Sequence, residues 1–275
     1  MSKRTRQKGI FFSVRQFRSF IRLETCLYIS CIGVSGFLLF NPLSITILPL
    51  FLAVLFLTGA SYAYNHLTDK EEDRINNKRL NIFVTNGLGI PVVYGMLSLG
   101  FLFSLFLPLP SFLLFILGIP LIIAYSRLRV KEIFFVKNLY TGLTIGLTFL
   151  IGAAAGGFIL AAFMSFPVAF FFGFMLNFLG DIRGYEGDMV AGVKTLPVAI
   201  GIDSSKRIAQ YLFLGFSSSI LILRCYPFYP LALFPFLISL SLAFDNHKTA
   251  RALIITSFMV FSSLLFILKI LEGGF

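Results

Sequence analysis

The sequence predicts an all-α, multi-pass membrane protein, with about nine transmembrane helices around a central cavity that opens to the cytoplasm. Three observations predict it. Of the 275 residues, 57% are hydrophobic and only 13% are charged, with a mean hydropathy of +0.91. A soluble domain would carry about 25% charged residues, so too little polar material is present to coat a water-exposed surface. The apolar residues gather into runs of the roughly 17–25 residues that a helix needs to cross a bilayer. The bases alternate between these runs in the way that cytoplasmic loops collect Lys and Arg.

The elements follow in order. Residues 1–25 are a basic N-terminal arm, opening MSKRTRQKGIFFSVRQFRSFIR. Its mixture of bases with Phe, Val and Ile suits an amphipathic helix lying on anionic headgroups. Its apolar run starts late and no small-residue cleavage site follows, which argues against a signal peptide. Spans are expected at about 26–42, 45–64, 83–106, 109–125, 138–155, 158–180, 208–223, 228–244 and 252–271. The pair between Asn138 and Gly180 is crowded, and a break near Gly156-Gly157 lets both fit. With the N-terminus inside, the cytoplasmic segments are the arm, 65–82, 126–137, 181–207 and 245–251. They hold 21 of the 23 Lys and Arg, leaving Arg224 and Lys269 outside, which supports an N-in, C-out topology at the cell membrane.

The net charge of +11 is thus accounted for by topology and membrane lipids. No basic face on a soluble module points to nucleic acid, and no protein partner is evident. No linker or low-complexity segment divides the chain, so residues 1–275 read as a single domain. Cys26, Cys31 and Cys225 lack metal-ligand spacing and read as small apolar core residues.

The chemistry lies in three cytoplasmic loops. In NHLTDKEED, Asn65, Asp69 and Asp73 are spaced by fours; at about 100° per residue they drift by only about 80°, so they share a helix face. Two carboxylates and an amide oxygen are hard ligands suited to Mg²⁺, which takes its remaining ligands from water and substrate phosphates. In DIRGYEGDMVAGVKTLP, Asp181 and Asp188 again share a face, with Lys194 following. The loop YSRLRVKEIFFVKN adds bases. Carboxylate-bound metal with Lys and Arg nearby, including Arg79 and Lys194, is what a diphosphate leaving group requires. Transporters also carry such carboxylates, but they place charges near the bilayer midplane, and these spans are almost free of them. The 35 Phe are mostly packing; some, as in FPVAFFFGFMLNF, could line an apolar cavity and shield a cation by their ring faces. His66 is either a base or incidental.

These residues resemble the UbiA superfamily of intramembrane prenyltransferases. Asn65, Asp69 and Asp73 match its NxxxDxxxD motif. The run from Asp181 resembles the DxxxxEGDxxxGxxxLP form of its second motif, as in the chlorophyll synthase and archaeal ether-lipid branches. YSRLRVKEIFFVKN resembles the family's YS…LK…N stretch, which contains Tyr125 and Asn138. The resemblance implies Mg²⁺-dependent transfer of a prenyl group from a polyprenyl diphosphate to a lipophilic acceptor, either a quinone-type ring or a glycerol-phosphate ether lipid. A terpene cyclase using the same metals without an acceptor is the alternative within the fold. It also implies two Mg²⁺ ions, held by Asn65, Asp69 and Asp73 on one side and Asp181 and Asp188 on the other. Arg79, Lys131, Lys194, Tyr125 and Asn138 would bind the diphosphate, with His66 and Glu186 on the acceptor side. Where many members carry Asp-x-x-x-Asp ending at the position of Asp188, this chain has Gly184, which leaves Asp181 or Glu186 to supply that carboxylate.

Overall fold

The computed structural model describes residues 14–75, 80–130, 133–156, 160–190 and 192–272. Its long helices are α1 Leu23–Phe40, α2 Ile47–Thr68, α3 Gly89–Ser104, α4 Leu109–Arg127, α5 Val136–Ala153, α6 Leu160–Val190, α7 Ile202–Ile222, α8 Tyr229–Ala243 and α9 His247–Leu271. No strand occurs among the described residues, as expected where backbone groups must be satisfied within each segment. Their ends are written locally. Asn41 precedes Pro42 and is extended (φ −130°, ψ 152°), which stops α1. Pro110 sits in the first turn of α4, where its missing N–H is no loss.

Among the described residues, six helices are long and apolar enough to cross a membrane: α1, α2, α4, α6, α9, and α8 together with its preceding turn. Of the other three, α3 is shorter, and α5 and α7 begin with polar turns (Lys137 and Asn138; Asp203, Lys206 and Arg207). The stretch expected as one span from 83 is divided: a short helix, Ile82–Thr85, is followed by a turn at Gly87 (φ 72°) before α3 begins. The break expected near Gly156-Gly157 falls at a 3₁₀ turn, Ala154–Gly156. The loop expected from Asp181 is instead helical to Val190. At about 1.5 Å per residue, the 31 residues of α6 span more than the roughly 30 Å hydrocarbon core, so its last turns carry the second acidic motif out of the apolar layer.

Packing centres on α1, which contacts α2, α5 and α9, while α4 closes the gap between α2 and α5. The α1–α5 crossing is a backbone contact. A Cβ on Gly152 would collide with the Gly33 carbonyl oxygen, and one on Gly36 with that of Phe149. On the other face of α5, Gly142 and Gly146 receive the rings of Phe170 and Phe166 from α6. Small residues let helix backbones approach and gain dispersion contacts where lipid offers no hydrophobic drive. At one end of the bundle Asn41 Nδ2 donates to Ala153 O at 3.5 Å. At the other, polar bonds link α2 to α4 and α5 to α6.

The arm is more than a membrane float. Residues 14–21 are helical, and although Val14 and Phe17 are exposed, Phe20 and Ile21 are buried in a small second core with Ala60, Ala63, Val84, Val93 and Met96.

The glycine crossing sets a stability prediction. Gly36→Ala must push α1 away from α5, an overpacking cost of about 1–3 kcal/mol. Its apparent melting temperature in detergent, followed by circular dichroism, should fall by about 5 °C. Gly95→Ala, which meets nothing within 4 Å, should not lower it.

Candidate active site

The cavity lies between α1, α2, α4 and α5. It has a volume of about 140 Å³, and its walls include Thr58, Ser61 and Tyr62 of α2, Tyr125 of α4, and Tyr140, Thr141 and Thr144 of α5. The stripe on α2 continues one turn beyond the cavity to Asn65 and then Asp69, by the i, i+3, i+4 rule. Asn65 Nδ2 donates to Asp69 Oδ2 at 2.9 Å, and Ser126 Oγ donates to Asn65 Oδ1 at 3.4 Å. These bonds fix the amide with its oxygen toward α4. The expected single face through Asp73 is interrupted: α2 ends at Thr68, Asp69 turns the chain (φ −86°, ψ 0°), and a new helix runs Lys70–Ile75. Asp73 lies on that short helix, its side chain outside the described part; Arg79 and Lys131 lie outside the described residues altogether.

The second motif is built on the emerging end of α6. Asp181 is 5% exposed. Lys137 Nζ is 2.6 Å from its Oδ1, and Asn138 Nδ2 donates to its Oδ2 at 3.3 Å. A buried carboxylate needs such partners, because desolvating an unpaired charge costs several kcal/mol. The lysine is held in turn: its carbonyl accepts from Asn177 Nδ2 at 3.1 Å and from Thr141 Oγ1 at 2.8 Å. Asn138 is therefore a support behind the carboxylate. Gly184 stands where a Cβ would be 3.5 Å from Asp188 Oδ2, so Asp181, Gly184 and Asp188 share one face. Glu186 and Lys194 are both exposed, Glu186 about 200° around the helix from Asp188. Of the two carboxylates left to answer for Gly184, Asp181 is the inward one.

Other side chains fall as follows. Tyr125 lines the cavity with its ring 5.5 Å from that of Tyr140, whose hydroxyl donates to Leu121 O. The Arg22 guanidinium lies 5.1 Å over the Tyr62 ring, from a residue in the left-handed region (φ 50°). His66 stacks on Phe20 at 5.7 Å, turned toward the arm rather than the cavity. Among the described residues no Phe lines this cavity. Within FPVAFFFGFMLNF, Phe171 stacks on Phe216 at 3.8 Å, and Phe172 packs edge-on to Phe258 at 5.2 Å. The cavity's aromatic surface comes from tyrosines. Sequence reasoning missed Lys137, Arg22 and Ser126. Lys137 and Ser126 were visible beside motif residues Asn138 and Tyr125, but nothing in spacing alone told the paired lysine from its neighbours.

The ion pair is testable by a double-mutant cycle. Lys137→Met leaves Asp181 buried without its counter-charge and should lower stability by about 3–5 kcal/mol. Adding Asp181→Asn should restore most of the loss in detergent unfolding; additive losses would show the pair to be uncoupled.

Comparison with known proteins agrees with this geometry. Residues 27–268 match the UbiA prenyltransferase family. The digeranylgeranylglyceryl phosphate synthase of Thermococcus sibiricus is 32% identical over 70% of this chain and 71% of that protein. That of Pyrococcus horikoshii is 30% identical over 75% and 77%. The solved structure of a UbiA homolog from Archaeoglobus fulgidus bound to DMAPP and Mg²⁺ matches with a TM-score of 0.71 at 19% identity, covering 93% of this chain and 98% of that one, which shows a common fold. With the match running from α1 into α9, the chain belongs to the UbiA prenyltransferase family.

Proposed function

We propose that this prenyltransferase moves a prenyl group from a prenyl diphosphate to a hydroxyl of a glycerol-phosphate ether-lipid acceptor, within the cell membrane and with its mouth on the cytoplasmic side. The observation that carries the reading is an apolar cavity capped on two opposing walls by acidic and basic groups. The acceptor class follows the relatives, which are named digeranylgeranylglyceryl phosphate synthases. The basic end of the bundle supports the orientation.

A prenyl tail is apolar and would find apolar surface at Leu57, Ile122, Ile145 and Ile151, while its diphosphate stays at the polar rim. Asn65, Asp69, Asp73 and Asp188 carry hard oxygen donors of the kind that would hold Mg²⁺. A Mg²⁺ held by them would supply positive charge against the leaving diphosphate. Asn65 and Asp69 are pre-positioned by their mutual bond and by Ser126, so little reorganisation remains when the substrate arrives. The prenyl C1–O bond breaks with its electron pair going to the diphosphate. The acceptor hydroxyl oxygen then bonds to C1, and its proton leaves to the diphosphate or to water. Tyr62, Tyr125 and Tyr140 turn aromatic surface toward the rim, where ring faces favour a developing allylic cation. Burial of the tail keeps water from that cation. Arg79, Lys131 and Lys194 are the loop cations that would complete the diphosphate shell, and Glu186 and His66 remain outer positions near the acceptor's approach.

Two predictions test this. Purified protein given geranylgeranyl diphosphate and a prenylated glycerol phosphate should release diphosphate only with Mg²⁺, with matching incorporation into the acceptor. Asp69→Ala and Asp188→Ala should lower turnover by about a hundredfold or more without loss of folding. Release without incorporation would point to a cyclase, and incorporation only into aromatic rings would change the acceptor class. Separately, Thr144→Phe fills the cavity one turn below Tyr140 and should shift preference from long to short prenyl diphosphates. Unchanged preference would mean that the tail runs elsewhere.

A further inference from the structure

The wall of the cavity formed by α5 has its own crown. Thr141, Thr144 and Thr148 line it, and Lys137 stands one turn above Thr141 on the same stripe. Opposite, Asn65 stands one turn above Ser61 and Tyr62 of α2. A diphosphate at the rim would thus have the metal-binding face of α2 on one side and the Lys137 ammonium on the other. That ammonium is an integral feature of the fold: the side chain is only 13% exposed, it meets Asp181 at 2.6 Å, and its carbonyl is pinned by Asn177 and Thr141. The α6 side, by contrast, is a poor divalent site. Gly184 supplies no ligand, and Asp181 is engaged by Lys137 and Asn138.

We propose that Lys137 is a built-in cation of the diphosphate site, standing at Asp181 where a second metal ion would otherwise bind. An ammonium has three N–H donors and no acceptor. One bond to Asp181 holds it, and the others are left for phosphate oxygens. A divalent ion beside it would meet like charge and too few ligands. Asp181 is then a positioning residue that acts through Lys137, and the metal is held from the α2 side with help from Asp188. This rests on the prenyl diphosphate reading above.

The test counts ions on the full chain in lipid nanodiscs, using Mn²⁺ and a non-cleavable geranylgeranyl thiolodiphosphate, read by electron paramagnetic resonance. Wild type and Lys137→Arg should bind about one Mn²⁺ per chain, and Lys137→Met, which frees Asp181, about two. Asp181→Asn should leave Mn²⁺ affinity within about threefold; as a true metal ligand, its loss would weaken binding about tenfold or more. About two ions on the wild type, or a large loss in Asp181→Asn, overturns the lysine's role while leaving the diphosphate reading intact. No Mn²⁺ binding with the analogue overturns both. The wild-type count decides the matter even if Lys137→Met does not fold.

Discussion

The backbone contact between α1 and α5 is the constraint on which the rest depends. Gly152 has no room for a Cβ against the Gly33 carbonyl, nor has Gly36 against that of Phe149. At that separation the rotation of α5 is fixed, since any side chain at the crossing would push it away. Fixing α5 sets which residues look where. Gly142 and Gly146 turn to the phenylalanines of α6, and Thr141, Thr144 and Thr148 turn to the cavity. The position of Lys137 above the cavity follows from a packing requirement about three helical turns away.

That geometry also decides the electrostatics. A carboxylate as buried as Asp181 is tolerated only with partners of its own, and it takes them from the first turn of α5, with Lys137 on one oxygen and Asn138 on the other. On α2, Asn65 and Asp69 bond to each other, with Ser126 on Asn65 and Thr68 on Asp69. One wall therefore carries oxygen donors, and the other a cation. A diphosphate with its metal needs both.

Much of this was legible in the sequence, because the bilayer narrows the choices. Long apolar runs become helices, and bases mark one side of the bundle. Asn65 and Asp69, and Asp181 and Asp188, fell on shared faces because helical periodicity is local information. The failures were tertiary. The interruption at Asp69 depends on how the chain leaves α2, and the continuation of α6 to Val190 overrode a charged segment that read as a loop. His66 and Asn138 are neighbours of site residues in sequence, yet the helix turns one toward Phe20 and the other toward Asp181. Their roles are set by the facing helix, which no spacing encodes.

The aromatic residues show the same division between composition and placement. Phenylalanine is abundant, and on α6 it packs: Phe166 and Phe170 fill the glycine notches of α5, while Phe171 and Phe172 lock α6 to α7 and α9. The cavity instead carries Tyr62, Tyr125 and Tyr140, whose rings combine apolar surface with a polar tip. Arg22 over Tyr62 brings a further cation to that boundary. Phenylalanine thus holds the helices at the spacing the cavity needs, and tyrosine meets the change from hydrocarbon to charge at its mouth.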